Sequence, residues 1–126
     1  MVGIVIVSHS EKLAEGAAEL AGALAKGCPI AFAGGTDDGG FGTSTEKIRA
    51  AIRKVYSPDG AIVLSDMGSA ILKTETVLEE LGYVNVIMAD TPLAEGAVAA
   101  ALASVSGEDL EAVRQQTLAA RNGKKW

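Results

Sequence analysis

The chain holds one histidine, His9, set between two serines in the run Val7-Ser8-His9-Ser10. An imidazole nitrogen is a nucleophile that can take up and release a phosphoryl group, and its ordinary pKa of about 6.5 leaves it available near neutral pH. If Ser8 is the N-cap of a following helix, Glu11 falls at the third helical position and the pair forms a capping box, with His9 in the first turn. The positive end of that helix disfavours an imidazolium, so the ring is expected to stay neutral and an attached phosphate would meet backbone amides. Ser10 shares that turn. A lone histidine behind a capping serine is more often an ordinary surface residue, so the weight rests on where the fold puts it.

Asp66 is the natural companion. A carboxylate across a short gap from His9 would hold one ring nitrogen in a fixed tautomer, leave the other free to attack phosphorus, and stabilise positive charge on the ring during transfer. Aspartate is equally a good helix cap, and Asp66 precedes a helical pattern. Ser65 and Ser69 suit caps or turns by the same logic, and Ser69 also offers a hydroxyl to a phosphoryl group. The glycine-rich segment 34–44, with Gly34-Gly35-Thr36-Asp37-Asp38-Gly39-Gly40, is long for a strand-to-helix connection. Its glycines let amides turn toward an anion, which makes Gly35, Thr36 and Gly39 phosphate-binding candidates beside Ser10 and Ser69. It has neither the Walker lysine nor a dinucleotide fingerprint after the first strand, which argues against nucleotide binding by this chain alone. Asp37-Asp38 lack a third ligand, so no metal site is expected.

Four strand-and-helix repeats must position these groups. Gly3-Ile4-Val5-Ile6-Val7 is apolar at consecutive positions, the mark of a strand covered on both faces. Leu13, Ala17, Leu20 and Leu24 then recur at helical spacing up to Gly27. Residues 29–33 form a second strand, and Ile48, Ala51, Ile52 and Val55 stripe a second helix. Pro58-Asp59-Gly60 turns into a third strand over 61–64. A third helix with Ile71, Thr74, Leu78 and Leu81 inward stops at Gly82, and a fourth strand spans 84–88. Thr91-Pro92 starts an alanine-rich helix, with proline at its first helical position, that runs to about Val105. Residues 106–109 begin a last helix through Leu110, Val113 and Leu118.

This alternation predicts an α/β fold: an open, mainly parallel sheet of about four strands in the order 2-1-3-4 with helices on both faces. In that order the winding reverses between strands one and three, and ligands bind outside the carboxyl ends of the strands at such a point. Ser8-His9-Ser10 ends strand one and Ser65-Asp66 ends strand three. The switch point therefore brings the two chemical candidates together, and it turns the balance for His9 from surface residue to functional one.

Composition narrows the class. The 126 residues carry 11 basic and 16 acidic side chains, a formal charge of −5, and 48% are apolar but only 4% aromatic. One domain over 1–126 with an aliphatic, alanine-rich core is expected. No basic face is visible for nucleic acid. Cys28 alone excludes an internal disulfide, and no run reaches the roughly 20 apolar residues of a membrane span, so a cytoplasmic protein is expected.

Four strings in order, Val5-Ile6-Val7-Ser8-His9-Ser10, the loop with Gly42-Thr43-Ser44, Leu64-Ser65-Asp66-Met67-Gly68-Ser69-Ala70 and Thr91-Pro92-Leu93-Ala94-Glu95-Gly96-Ala97, resemble the phosphocarrier subunits of the phosphotransferase-dependent dihydroxyacetone kinases. Those subunits have the mannose-type enzyme IIA fold of the phosphoenolpyruvate:sugar phosphotransferase system, and the resemblance covers nearly the whole chain. It implies that His9 accepts phosphate from the histidine-containing phosphocarrier protein and passes it to ADP on the kinase's nucleotide-binding subunit, and that Asp66 hydrogen-bonds the active histidine. It also implies a homodimer, a role in glycerol metabolism, and no metal or small cofactor held by this chain. Some relatives carry further carrier-protein and enzyme I-like domains; with the chain ending at Trp126, phosphate is expected to arrive from separate proteins. The alternatives are a mannose-type enzyme IIA of a sugar transporter and a receiver-like signalling module phosphorylated on Asp66. A receiver needs an acidic pair after strand one, which Ser8-His9-Ser10 does not supply. A hydrolase using Ser8 or Ser10 with His9 lacks an elbow motif.

Overall fold

Consecutive β-branched residues need apolar cover on both sides, and the structure provides it. A computed structural model describes all 126 residues, Met1–Trp126. The strands are β1 (Gly3–Ser8), β2 (Ile30–Gly34), β3 (Ala61–Ser65) and β4 (Val86–Ala89); the helices are α1 (Glu11–Leu24), α2 (Thr45–Val55), α3 (Gly68–Leu81), α4 (Leu93–Val105) and α5 (Leu110–Ala119). All strand pairs are parallel, in the order β2-β1-β3-β4, as the alternation predicts.

Period-two alternation divides the core. Ile4, Ile6, Ile62 and Leu64 join Ala14, Ala17 and Ala21 of α1, the alanines of α4 and Val113 of α5 on one face. Val5, Val7, Ala61 and Val63 join Ile48, Ile52 and Val55 of α2 and Ala70 and Val77 of α3 on the other. β1 is buried along its whole length, and its last residue, Ser8, pairs in register with Gly34 while Val7 faces Ser65. The carboxyl ends of the two central strands therefore finish side by side.

Several local expectations shift. Of the expected α1 stripe only Ala17 is buried, together with Ala14 and Ala21, while Leu13, Leu20 and Leu24 are 49%, 47% and 56% exposed. Alanines let α1 lie close against the alanine face of α4, and leucines there would hold the two helices apart. On α3, Ala70, Thr74 and Val77 are buried and Ile71 is exposed. The fourth strand starts two residues later than expected, because Asn85 is occupied in bracing the Pro58 turn through its amide. Pro92 caps α4 from just outside the helix. Gly82 adopts the expected left-handed stop, φ +66°, with its N–H on the Leu78 carbonyl.

Gly34 is where α1 meets the sheet. A Cβ there would lie 2.6 Å from Glu11 Cα and 2.7 Å from the Ser10 carbonyl oxygen, both backbone atoms that cannot step aside. Glycine thus lets the start of α1 sit directly on the end of β2. Gly34→Ala should destabilise the fold by about 1–3 kcal/mol through this overlap. Gly22→Ala, in the interior of α1 with its nearest outside neighbour at 3.9 Å, should instead stabilise by up to about 1 kcal/mol. Urea midpoints of the two variants check both directions.

Candidate functional site

The switch point is organised around one carboxylate. Asp66 follows β3 directly, and its N–H donates to the Val7 carbonyl at 3.1 Å, which ties it to the end of β1. Its Oδ1 accepts from the His9 ring at Nδ1, 2.9 Å, and from the Met67 N–H, 2.7 Å. Its Oδ2 accepts from the Ser8 hydroxyl, 2.8 Å, and from the His9 backbone N–H, 2.9 Å. Burial would push this carboxyl upward, but hydrogen bonds from the His9 backbone, the His9 ring, the Ser8 hydroxyl and the Met67 N–H outweigh it and hold Asp66 below its ordinary value of 3.8. It is an ionised acceptor, so the ring proton resides on Nδ1, and in the neutral ring Nε2 carries the free lone pair.

The other ring nitrogen faces Ser69. Nε2 lies 2.8 Å from Ser69 Oγ, in the first turn of α3. The His9 side chain is 30% exposed and that of Asp66 only 10%, so the ring stands at the surface on a buried support.

The start of α1 differs from the expected capping box. Ser8 remains in β1, fully buried, and its hydroxyl serves Asp66 and accepts from the Ser10 N–H at 3.0 Å. Ser10 is the N-cap, accepting from the Leu13 N–H at 3.2 Å. His9 therefore precedes the helix instead of lying in its first turn. The ladder to β2 carries strand geometry one residue further than the polar character of Ser8 suggests.

The sequence candidates separate into two groups. His9, Asp66 and Ser69 meet. Ser10 serves as the α1 cap. Within the glycine-rich segment the Gly35 N–H donates to the Ser8 carbonyl, the Thr36 N–H to the Gly40 carbonyl and the Gly39 N–H to the Thr36 carbonyl. Those amides close the loop on itself and on β1, and none is bonded to the His9 ring. Gly35 and Gly39 have φ of +76° and +87°, which glycine permits. The loop does reach His9 further on: the Gly42 N–H donates to the His9 carbonyl at 2.9 Å. Thr91, on the same rim, spends its hydroxyl on the Thr117 carbonyl of α5.

Sequence reasoning missed two members. Local pattern marks Ser8 as a cap, whereas its position as the last residue of a buried strand beside the one that leads to Asp66 is the signal for its role. Thr43 lies 3.3 Å from Ser69 Oγ through its own Oγ1, and nothing local to Thr43 announces this.

Known proteins share this frame. Residues 3–114 match the model of the EIIA-man family, described as the PTS system fructose IIA component. The chain is 40% identical over 132 aligned positions to the PEP-dependent dihydroxyacetone kinase phosphoryl donor subunit DhaM of Escherichia coli (strain K12), covering 99% of this chain and 28% of that protein. It is 37% identical over 120 positions to the phosphoryl donor subunit DhaM of PEP-dependent dihydroxyacetone kinase 2 of Listeria innocua, covering 92% of this chain and 96% of that one. The chain thus spans little more than a quarter of the Escherichia coli relative and nearly all of the Listeria one. Among solved structures, a protein of unknown function, EF1359, superposes with a TM-score of 0.86 at 26% identity over 100% of this chain and 99% of its own. With this match over nearly its whole folded length and a four-stranded parallel sheet of matching form, the chain belongs to the EIIA-man family of phosphotransferase-system IIA components.

Proposed function

We propose that this chain is a phosphohistidine carrier in which His9 Nε2 accepts a phosphoryl group from the histidine-containing phosphocarrier protein and passes it to ADP held on the nucleotide-binding subunit of a dihydroxyacetone kinase. The observation that carries this is the paired engagement of a partly exposed ring: Nδ1 on the ionised Asp66 and Nε2 on the Ser69 hydroxyl. The names of the relatives support the kinase over a sugar transporter.

The chemistry follows from that ring. The Nε2 lone pair attacks phosphorus in line, the new N–P bond forms as the donor's N–P bond breaks, and the donor nitrogen keeps its electron pair. The ring gains positive charge, which the carboxylate beneath it stabilises through Nδ1–H. The phosphoryl oxygens then lie at the N-terminus of α3, beside the Ser69 hydroxyl, where a helix end and a donor favour negative charge. Each step runs in reverse toward the acceptor. Surface exposure suits a group that one protein delivers and another removes, and this chemistry requires no metal or cofactor from the chain.

A receiver-like role for Asp66 is less well supported, because both its oxygens already accept two hydrogen bonds each. Two copies of the chain form the working unit in this proposal, and the uncharged flank of α1 with exposed Leu13, Leu20 and Leu24 is the face that would pair them. A cytoplasmic setting and a part in glycerol metabolism go with the same role.

With phosphoenolpyruvate and the general carrier proteins, wild-type chain should gain an acid-labile phosphoryl group, and His9→Ala none; label retained on His9→Ala rejects the proposal. Asp66→Asn should keep the fold but slow transfer by roughly tenfold to hundredfold, the scale of one charge-assisted hydrogen bond. Because the Asp66 carboxyl is held below 3.8, its contribution to stability is present above that value and lost as pH falls through the lower folded one. Acid unfolding curves of Asp66→Asn should therefore be flatter than wild type only at the acid end, below about pH 4. Leu20→Lys should convert a sedimenting dimer to monomer without disturbing the far-ultraviolet circular dichroism.

A further inference from the structure

Thr43 is 6% exposed and stands in the turn between the glycine-rich loop and α2. Its backbone is held on three sides. The Gly42 N–H before it donates to the His9 carbonyl, Lys73 Nζ of α3 donates to the Thr43 carbonyl at 2.7 Å, and Ser44 after it caps α2 by accepting from the Lys47 N–H at 3.2 Å. A threonine fixed this firmly, with its Oγ1 3.3 Å from Ser69 Oγ, has a hydroxyl whose direction is set by its neighbour.

The direction of that chain follows from proton counting. A hydroxyl has one proton and two lone pairs. In the neutral ring Nδ1–H donates to Asp66, so Nε2 is the acceptor and the Ser69 O–H donates to it. Ser69 Oγ then has no proton left for Thr43, so Thr43 is the donor of the second bond. The sequence is Thr43 O–H to Ser69 Oγ, and Ser69 O–H to His9 Nε2.

We infer that Thr43 is a positioning residue for phosphoryl transfer at His9, acting through Ser69, an inference that rests on the proposed role of His9. Once Nε2 is bonded to phosphorus it accepts nothing, and the Ser69 proton must turn away from it. Thr43 keeps Ser69 Oγ anchored by a lone pair while that proton rotates onto a phosphoryl oxygen, so the donor is in place as negative charge arrives. Without the Thr43 hydroxyl, Ser69 is free to take other staggered rotamers and the donor is present for only part of the time. Lys73 holds the threonine to α3, the same helix that carries Ser69, so donor and anchor move together.

The test compares Thr43→Val, which keeps the shape and removes the hydroxyl, with Thr43→Ser, which keeps the hydroxyl. Rates of transfer from the phosphorylated histidine-containing carrier onto His9 should fall about fivefold to tenfold in Thr43→Val and stay within about twofold of wild type in Thr43→Ser. Thr43→Val added to Ser69→Ala should cost nothing beyond Ser69→Ala alone, because the first acts through the second. In the unphosphorylated protein the nitrogen NMR resonance of His9 Nε2 should move in Thr43→Val and not in Thr43→Ser. A wild-type rate in Thr43→Val, an equal defect in Thr43→Ser, or full additivity with Ser69→Ala overturns the inference. Should the wild-type chain take no phosphate, the proposed function fails by itself, and the Nε2 resonance still decides the Thr43 chain: no movement in Thr43→Val rejects it.

Discussion

The Asp66 carboxylate joins the ends of the two central strands to each other and to the imidazole. Its four accepted hydrogen bonds come from Ser8 and His9 of the β1 end, through side chain and backbone alike, and from Met67 at the entry to α3. A carboxylate withdrawn from most of the solvent is costly unless its lone pairs are met, and here they are all met by groups the sheet brings within reach. The same bonds that keep the charge tolerable also orient the ring. Satisfaction of the carboxylate and orientation of the ring are thus one arrangement.

The rest of the molecule supplies the rigidity that this arrangement needs. β1 and β3 are buried on both faces, so their carboxyl ends have little freedom, and Gly34 lets the start of α1 close on β2 without displacing His9. Glycine-rich loops near such a site are usually credited with direct ligand contact. Here Gly35, Thr36, Gly39 and Gly40 spend their amides within the loop and on Ser8, which makes the loop a brace whose far end, at Gly42, bonds the His9 carbonyl and, at Thr43, reaches Ser69. The hydroxyl at His9 Nε2 comes instead from Ser69 of α3, with that of Thr43 at the α2 entry behind it.

Two helices differ from their periodicity in an instructive way. On α1 both the leucines and the alanines recur at helical spacing, and the pattern alone favours the larger side chains as core. Tertiary packing chose the alanines, because α4 is itself alanine-rich and two small-residue faces can approach more closely than a small and a large one. The leucines are left at the surface. On α3, Ala70, Thr74 and Val77 face the core shared with α2 and the sheet, and Ile71 is left exposed.

The amino-acid order alone determined the strand-helix alternation, the parallel sheet with its 2-1-3-4 order, and the meeting of His9 with Asp66, because hydrophobic periodicity and right-handed crossover leave few arrangements for such a chain. It also marked Ser69 as a hydroxyl close to the switch point. Only the folded structure decided that Ser8 supports the carboxylate while Ser10 caps the helix, that Nδ1 and not Nε2 faces Asp66, and that Thr43 stands behind Ser69. Those are distances between residues far apart in sequence, or choices between adjacent hydroxyls of equal propensity. Local pattern is blind to both, since each is settled by which polar group the packing leaves nearest.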